Sequence, residues 1–418
     1  MTAFQGLLRK ATPGSTLGPF RFQAFREIWI ANLTSNMGSM IQSVAAAWLM
    51  TELTRSHTLV ALVQASVTLP IMLFGLLAGA IADRNDRRKV MLVAQFAMLV
   101  ASTLLAGLAW INQISPGILL VLTLSIGIGT ALNSPAWQAS VRYQVDKEDL
   151  PQAIALNSIS FNIARSIGPA IGGALISLFN IALAFTVNAV SYLAMIIALR
   201  RWDPIFAPRQ QGGTMMQAIW RGLSHCLHTA VLLRIILRGF SIGLGMAAYQ
   251  ALIPVLAREQ YAGTASDFGI LLGAFGIGSI LTALIVRKTL KLWGPETVVT
   301  IGTVIIALST LGLAFARTIF EAMPLAFAAG TGWTATMTSL NVAMQLRSPD
   351  DILGRCMATF QATTFGGMAI GAWLWGAISD AFSLSLSLEA AAAWMLASLV
   401  FARMFGPMPE RGEGHVKS

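Results

Sequence analysis

The sequence predicts an all-α polytopic membrane protein, with twelve transmembrane helices in two six-helix, pseudo-symmetric halves. Three observations predict it. The 418 residues are 56% hydrophobic and 11% charged, with a mean hydropathy of +0.69, whereas an ordinary soluble protein carries about 25% charged residues. Between short charge clusters lie apolar stretches, each near the roughly 20 residues a helix needs to cross a bilayer. The basic residues also collect at every second junction, the bias that fixes which side of a membrane a loop occupies.

In chain order the stretches start near residues 28, 57, 88, 116, 150 and 179, then near 231, 265, 295, 322, 354 and 384. With both termini in the cytoplasm, 24 of the 28 Lys and Arg residues fall on the cytoplasmic side. Arg55, Arg258 and Arg317 fall outside, and Arg165 lies within a span. An odd number of spans would scramble this bias. Residues 1–27 read as a cytoplasmic segment, without the apolar core and cleavage site of a signal peptide. Residues 28–200 form one bundle, 201–229 a cytoplasmic linker, 230–405 a second bundle, and 406–418 a cytoplasmic tail. From Thr214 to Thr229 the linker reads as an amphipathic helix on the membrane surface, with Met216, Ile219, Trp220 and Leu223 on one side. Cys226 and Cys356 fall on the cytoplasmic side, where reduced thiols are expected.

The halves repeat. An offset of 203 residues aligns Gly75 with Gly278 and Arg84 with Arg287, then Gly127 and Gly129 with Gly330 and Gly332. The same offset aligns Leu150, Gly168 and Gly173 with Leu353, Gly371 and Gly376. Any one identity among Gly and Leu means little; one offset holding across three span pairs indicates a parallel six-plus-six repeat, a common plan of secondary transporters.

The net charge of +10 is dispersed in clusters between apolar runs, so no nucleic-acid surface is expected. No Walker-type loop, metal-ligand spacing or nucleophile elbow occurs. Catalytic residues, cofactors and metals are therefore all expected to be absent.

Polar side chains inside spans are expensive and mark a cavity or a helix contact. The candidates for a substrate cavity are Asn32, Asn36 and Gln42 in span one, Asn133 and Trp137 in span four, and Asn162 and Arg165 in span five. The second half adds Tyr249, Gln250, Asn341 and Gln361. Arg165 is the most unusual, at mid-membrane depth on a stripe with Ser158, Asn162, Pro169 and Gly172. It either binds an anionic or carbonyl-rich substrate or ties down backbone carbonyls freed by Pro169. All 18 acidic residues lie in loops or near span ends, so proton coupling would use groups near the membrane edges, such as Asp83, Glu27 or Glu52.

Two motifs carry a family resemblance. Between spans two and three, Gly79, Asp83, Arg84, Arg87 and Arg88 form G-x-x-x-D-R-x-x-R-R. This resembles the loop signature of the major facilitator superfamily, which usually has Gly where this chain has Asp86. In span five, Arg165, Gly168, Pro169, Gly172 and Gly173 resemble the signature of that superfamily's antiporters, with Ala164 in place of its first Gly. The resemblance covers residues of about 20 to 405 and is nearest to the third drug:proton antiporter group and the transmembrane secretion effectors, among them enterobactin exporters and macrolide efflux proteins.

The resemblance implies the major facilitator fold in a bacterial inner membrane. It implies a monomeric secondary transporter exporting an amphiphilic drug, siderophore or similar metabolite by rocker-switch alternating access, with proton antiport. It also implies a conformational latch, in which Gly79 and Asp83 approach the start of span eleven near Asp351 and Asp83 pairs with Arg142. A lysophospholipid transporter of the same fold and a non-transporting receptor or structural protein are the alternatives.

Overall fold

The computed structural model describes residues 15–203, 215–349 and 352–404. Their elements are α1 (Gln23–Leu53), α2 (His57–Arg84), α3 (Arg87–Trp110), α4 (Pro116–Ser140), α5 (Leu150–Leu178) and α6 (Ile181–Arg201), then α7 (Met215–His228). There follow α8 (Ala230–Val255), α9 (Ala265–Phe315), α10 (Ile319–Arg347), α11 (Leu353–Ala381) and α12 (Leu384–Met404). The helix α9 is two spans in one. It breaks at Gly294, whose φ of +74° suits glycine, and Pro295 starts the second arm.

Polar side chains set the turns. Ser115 and Asn180 cap α4 and α6 through the N–H groups of Ile118 and Leu183, and Thr264 with Asp267 forms a capping box on α9. Asp86, the departure from the superfamily pattern, caps α3 by accepting from Arg88 N at 2.9 Å and Lys89 N at 3.4 Å. Its φ is −59°, so this two-residue turn needs no glycine there.

Among the described residues, 8 helices are long and apolar enough to cross a membrane. The helices α1, α10 and α11 fall short because hydroxyl and amide side chains are interleaved along them. They still cross with the others, packed into the same two bundles.

The repeat is visible in what the aligned glycines touch. Gly127 of α4 packs on Ser66 and Pro70 of α2, as Gly330 of α10 packs on Phe275 of α9. Gly129 lies against Met98 of α3, as Gly332 lies against Gly302 in the second arm of α9. Gly168 of α5 meets Met40 of α1, as Gly371 of α11 meets Leu244 of α8. Glycine lets these helices approach closely where no water is available to drive them together. The last aligned pair joins the halves. Gly173 packs on Ala265 at the start of α9, and Gly376 packs on Thr58 at the start of α2.

Arg238, one of the basic residues read as cytoplasmic, lies within α8, which begins at Ala230. It is buried and donates to Glu296, at 2.5 Å, just past the Gly294 break. The helix α7 docks on α11 through Gly222, which abuts Arg355, and through Cys226, whose thiol neighbours that of Cys356. Both thiols are free and buried, while Met216 and Trp220 are exposed.

Candidate functional site: a cleft between the halves, sealed at one face

The two halves meet along two helix pairs, α2 with α11 and α5 with α9. Both contacts are tight at the face opposite the basic turn 84–89. Asp380, at the end of α11, accepts four hydrogen bonds from the start of α2: Ser56 Oγ at 2.8 Å, His57 N at 2.6 Å, Thr58 N at 2.9 Å and Thr58 Oγ1 at 2.5 Å. A carboxylate there satisfies orphan N–H groups of a helix N-terminus and complements its dipole. At the repeat-related position, Ser177 Oγ accepts from Ser266 N at the start of α9, at 3.1 Å. The closure is pseudo-symmetric, but one side of it is charged.

More contacts strengthen this seal. After α8 the chain makes a π-helical turn, Leu256–Gln260, a geometry that often marks functional sites. It turns Arg258 and Glu259 toward the first half. Arg258 donates to Thr51 Oγ1 at 3.0 Å, and Glu259 meets His57 Nε2 at 3.1 Å. A cavity of about 670 Å³ opens beside them, lined by Glu52, Arg55, His57, Arg258 and Glu259 among others. Nearer mid-membrane, Gln64 donates to Gln250 across the halves at 3.1 Å.

The glycine contacts of the seal lie in the half away from the basic face. The contacts of α11 with α2, from Gly376 to Gly366 on Met72, cover about 15 Å at 1.5 Å per residue. On the α5–α9 pair the glycine contacts run from Gly173 on Ala265 to Ser166 on Gly276. Toward the basic face, no described atom lies within 4 Å of where a Cβ would sit on Gly79 or Gly354. The stripe on α5 records the same change. Gly172 and Pro169 are buried, Arg165 and Asn162 are half-buried, and Ser158 and Phe161 are exposed. Arg165 therefore sits at the floor of a cleft that opens on the basic face.

At that floor the guanidinium of Arg165 lies over the Phe275 ring, 5.1 Å from its centroid, and Phe275 stacks on Tyr249 at 5.3 Å. The sequence missed Phe275, which reads as one more apolar residue in an apolar span. One of the two roles weighed for Arg165 is not seen: among the described residues it donates to no backbone carbonyl. Tyr249 is fully buried, and among the described residues its hydroxyl has no hydrogen-bond partner.

The other candidates divide. Gln361 is exposed and Asn36 half-buried toward the open end, while Asn162 and Asn341 spend their amides on their own helices, at Ser158 O and Met337 O. Gln42 does not face the cleft. It is buried inside the first bundle, bonded to Ser102 and Asn188 in a cluster with Tyr192. Asn133 accepts from Gln95 of α3, Trp137 packs in the small core around Ile28 and Met91, and Asn32 is buried.

Three latch candidates, Arg87, Arg88 and Arg142, make contacts within the first half. Arg88 donates to Leu199 O, Arg200 O and Asp203 at the end of α6. Arg87 donates to Ala82 O and to Ala139 O near the end of α4, and Arg142 donates to Ala139 O with its cation near the Tyr143 ring. Cations at helix C-termini meet unpaired carbonyls and the negative dipole end. Arg84 closes α2 and is exposed. The side chain of Asp83 and residues 350 and 351 lie outside the described residues.

Residues 14–417 match the family model described as transmembrane secretion effector. The chain belongs to that family. Within it, the chain is 27% identical over 365 residues to the enterobactin exporter EntS of Shigella boydii, covering 85% of each chain. It is 25% identical over 287 residues to the staphyloferrin A transporter of Staphylococcus aureus, covering 67% of this chain and 70% of that one. Solved major facilitator structures share the fold. A nucleoside transporter superposes with a TM-score of 0.78 at 12% identity, over 92% of this chain and 100% of the other. A D-xylose–proton symporter gives 0.71 at 13%, over 92% and 97%. Family and relatives are transporters, and the apolar helices make the chain a multi-pass membrane protein.

Proposed function

We propose that this protein is a secondary active exporter that moves an amphiphilic small molecule, siderophore-like or drug-like, out of a bacterial cell by alternating access. The observation that carries this is the one-sided seal. Two helix pairs close the cleft at one face and part toward the other, which is one of the two states an alternating-access carrier visits. The positive bias makes the open, basic face cytoplasmic, so the cleft as drawn loads from inside the cell. The relatives named as an enterobactin exporter and a staphyloferrin A transporter support export of a small molecule.

In this reading the resting latch is Asp380 on the start of α2. The reciprocal latch is Asp83 on the start of α11, engaged when the basic face closes. Because α2 and α11 run antiparallel, each carboxylate-bearing C-terminus faces the N-terminus of the other helix. The proposed coupling ion is the proton, since the seal that must open outward holds titratable groups: Asp380, His57 and Glu259, with Glu52, Arg55 and Arg258 facing the same cavity. Efflux into inverted membrane vesicles, run with a panel of amphiphiles with and without a proton gradient, tests the proposal. Gradient-dependent accumulation of a soluble amphiphile is expected. Movement of lysophospholipid alone, or of nothing in the panel, overturns it.

A further inference from the structure

We infer that Arg165, with Phe275 beside it, is an oxyanion-binding subsite at the floor of the cleft, and that the exported molecule carries a carboxylate or another oxyanion on an apolar frame. The inference rests on the exporter reading and deepens it. An arginine stays charged in proteins and presents five N–H donors. At mid-membrane depth such a charge persists only when paired or wetted. Among the described residues Arg165 has neither an ion pair nor a hydrogen bond; its contact is the face of Phe275, 5.1 Å away. A cation over a phenyl ring gains far less than dehydrating an ion costs.

Arg165 is half-buried in the present state, and an open cleft would supply water to its guanidinium. Closing the basic face removes that water, and the charge then needs an anion. Among the described residues no carboxylate pairs with Arg165, and the acidic residues of the sequence sit in loops or near span ends. The substrate is the remaining source. A second, independent observation points to the same place. The Tyr249 hydroxyl, from the other half of the molecule, is buried, unpartnered and within electrostatic reach of Arg165. Phe275, stacked on Tyr249 and facing Arg165, supplies the apolar wall beside the charge. An oxyanion here would engage donors of α5 and α8 and so tie the halves together. The same arrangement couples loading to closure: an empty carrier would have to bury a bare guanidinium, and a loaded one would not.

The test uses the full-length protein in nanodiscs. Thermal stabilisation and binding are measured with benzoate, 2,3-dihydroxybenzoate and carboxyfluorescein, against uncharged benzamide and cationic rhodamine 123. The expected result is that the wild type binds at least one of the three anions in preference to the uncharged and cationic probes. Arg165→Gln then weakens that anion at least tenfold, with benzamide changed less than twofold, and Arg165→Lys lies between. Tyr249→Phe keeps the ring stack and weakens the anion about threefold, which provides a second reading if Arg165→Gln folds poorly. Wild-type binding of none of the anions, or unchanged anion binding in folded variants, overturns the inference. Efflux of cationic amphiphiles without anion binding would sink this subsite and leave the exporter standing. Anion binding with no transport of any amphiphile would do the reverse.

Discussion

Replacing Asp380 with alanine removes the acceptor of all four bonds that hold the start of α2 to the end of α11. Four charge-assisted bonds at about 1.5–3 kcal/mol each would sum to more than 6 kcal/mol. That sum is too large, because Asp380 is solvent-exposed and water re-solvates donors and acceptor alike. A helix N-cap is worth about 0.5–2 kcal/mol, and a negative charge at a helix N-terminus adds about 0.3–1 kcal/mol. The net is about 2 kcal/mol, a shift of roughly 30-fold in the ratio of sealed to open molecules at that face. Double electron–electron resonance between spin labels at the exposed positions Gln113 and Arg317, in a background lacking Cys226 and Cys356, reads this directly. The wild type should give one short distance, Asp380→Ala should add a longer population, and Asp380→Asn, which keeps one acceptor oxygen, should lie between. An unchanged distance distribution in a folded Asp380→Ala protein would refute the latch.

Three further outcomes follow. Gly79→Leu should leave thermal stability unchanged, because no described atom lies within 4 Å of the new Cβ, yet abolish transport by blocking closure of the basic face; wild-type efflux would rule out that approach. Arg238→Gln leaves Glu296 without its charged partner, and should lower stability by about 2 kcal/mol, below the roughly 3–5 kcal/mol of a fully buried pair because Glu296 is partly exposed; a melting temperature equal to wild type would contradict it. The Cys226 thiol is pushed up to about 12 by burial and by Cys356, so at pH 8 it is protonated and maleimide should modify it only after unfolding. Modification within minutes in the native protein would show that α7 does not stay docked.

Much of this was legible in the residues. The repeat offset foretold which glycines do the same work in each half, because close helix contact selects glycine wherever it recurs. The same offset pairs Ser177 with Asp380, so the pseudo-symmetric seal was encoded, although a lone acid at a span end looked like an ordinary loop charge. Arg165 announced itself by its depth. The cavity set was only partly readable, because an amide inside an apolar helix looks the same whether it faces a cleft or a bundle core. Gln42 turned out to serve Asn188 and Ser102, and Asn133 serves Gln95. The π-helical turn that presents Arg258 and Glu259, and the stack of Phe275 on Tyr249, come from tertiary packing and leave no periodic signal.

The proposed cleft opens to the cytoplasm, with its floor at Arg165. A single cysteine at Ser158, on the exposed part of the α5 stripe, in a background lacking Cys226 and Cys356, tests this most directly. A membrane-impermeant maleimide should label it in inverted vesicles and not in right-side-out cells, and Asp380→Ala should reduce the labelling in inverted vesicles. Labelling from the outer side in the otherwise native protein, or from neither side, would contradict the account.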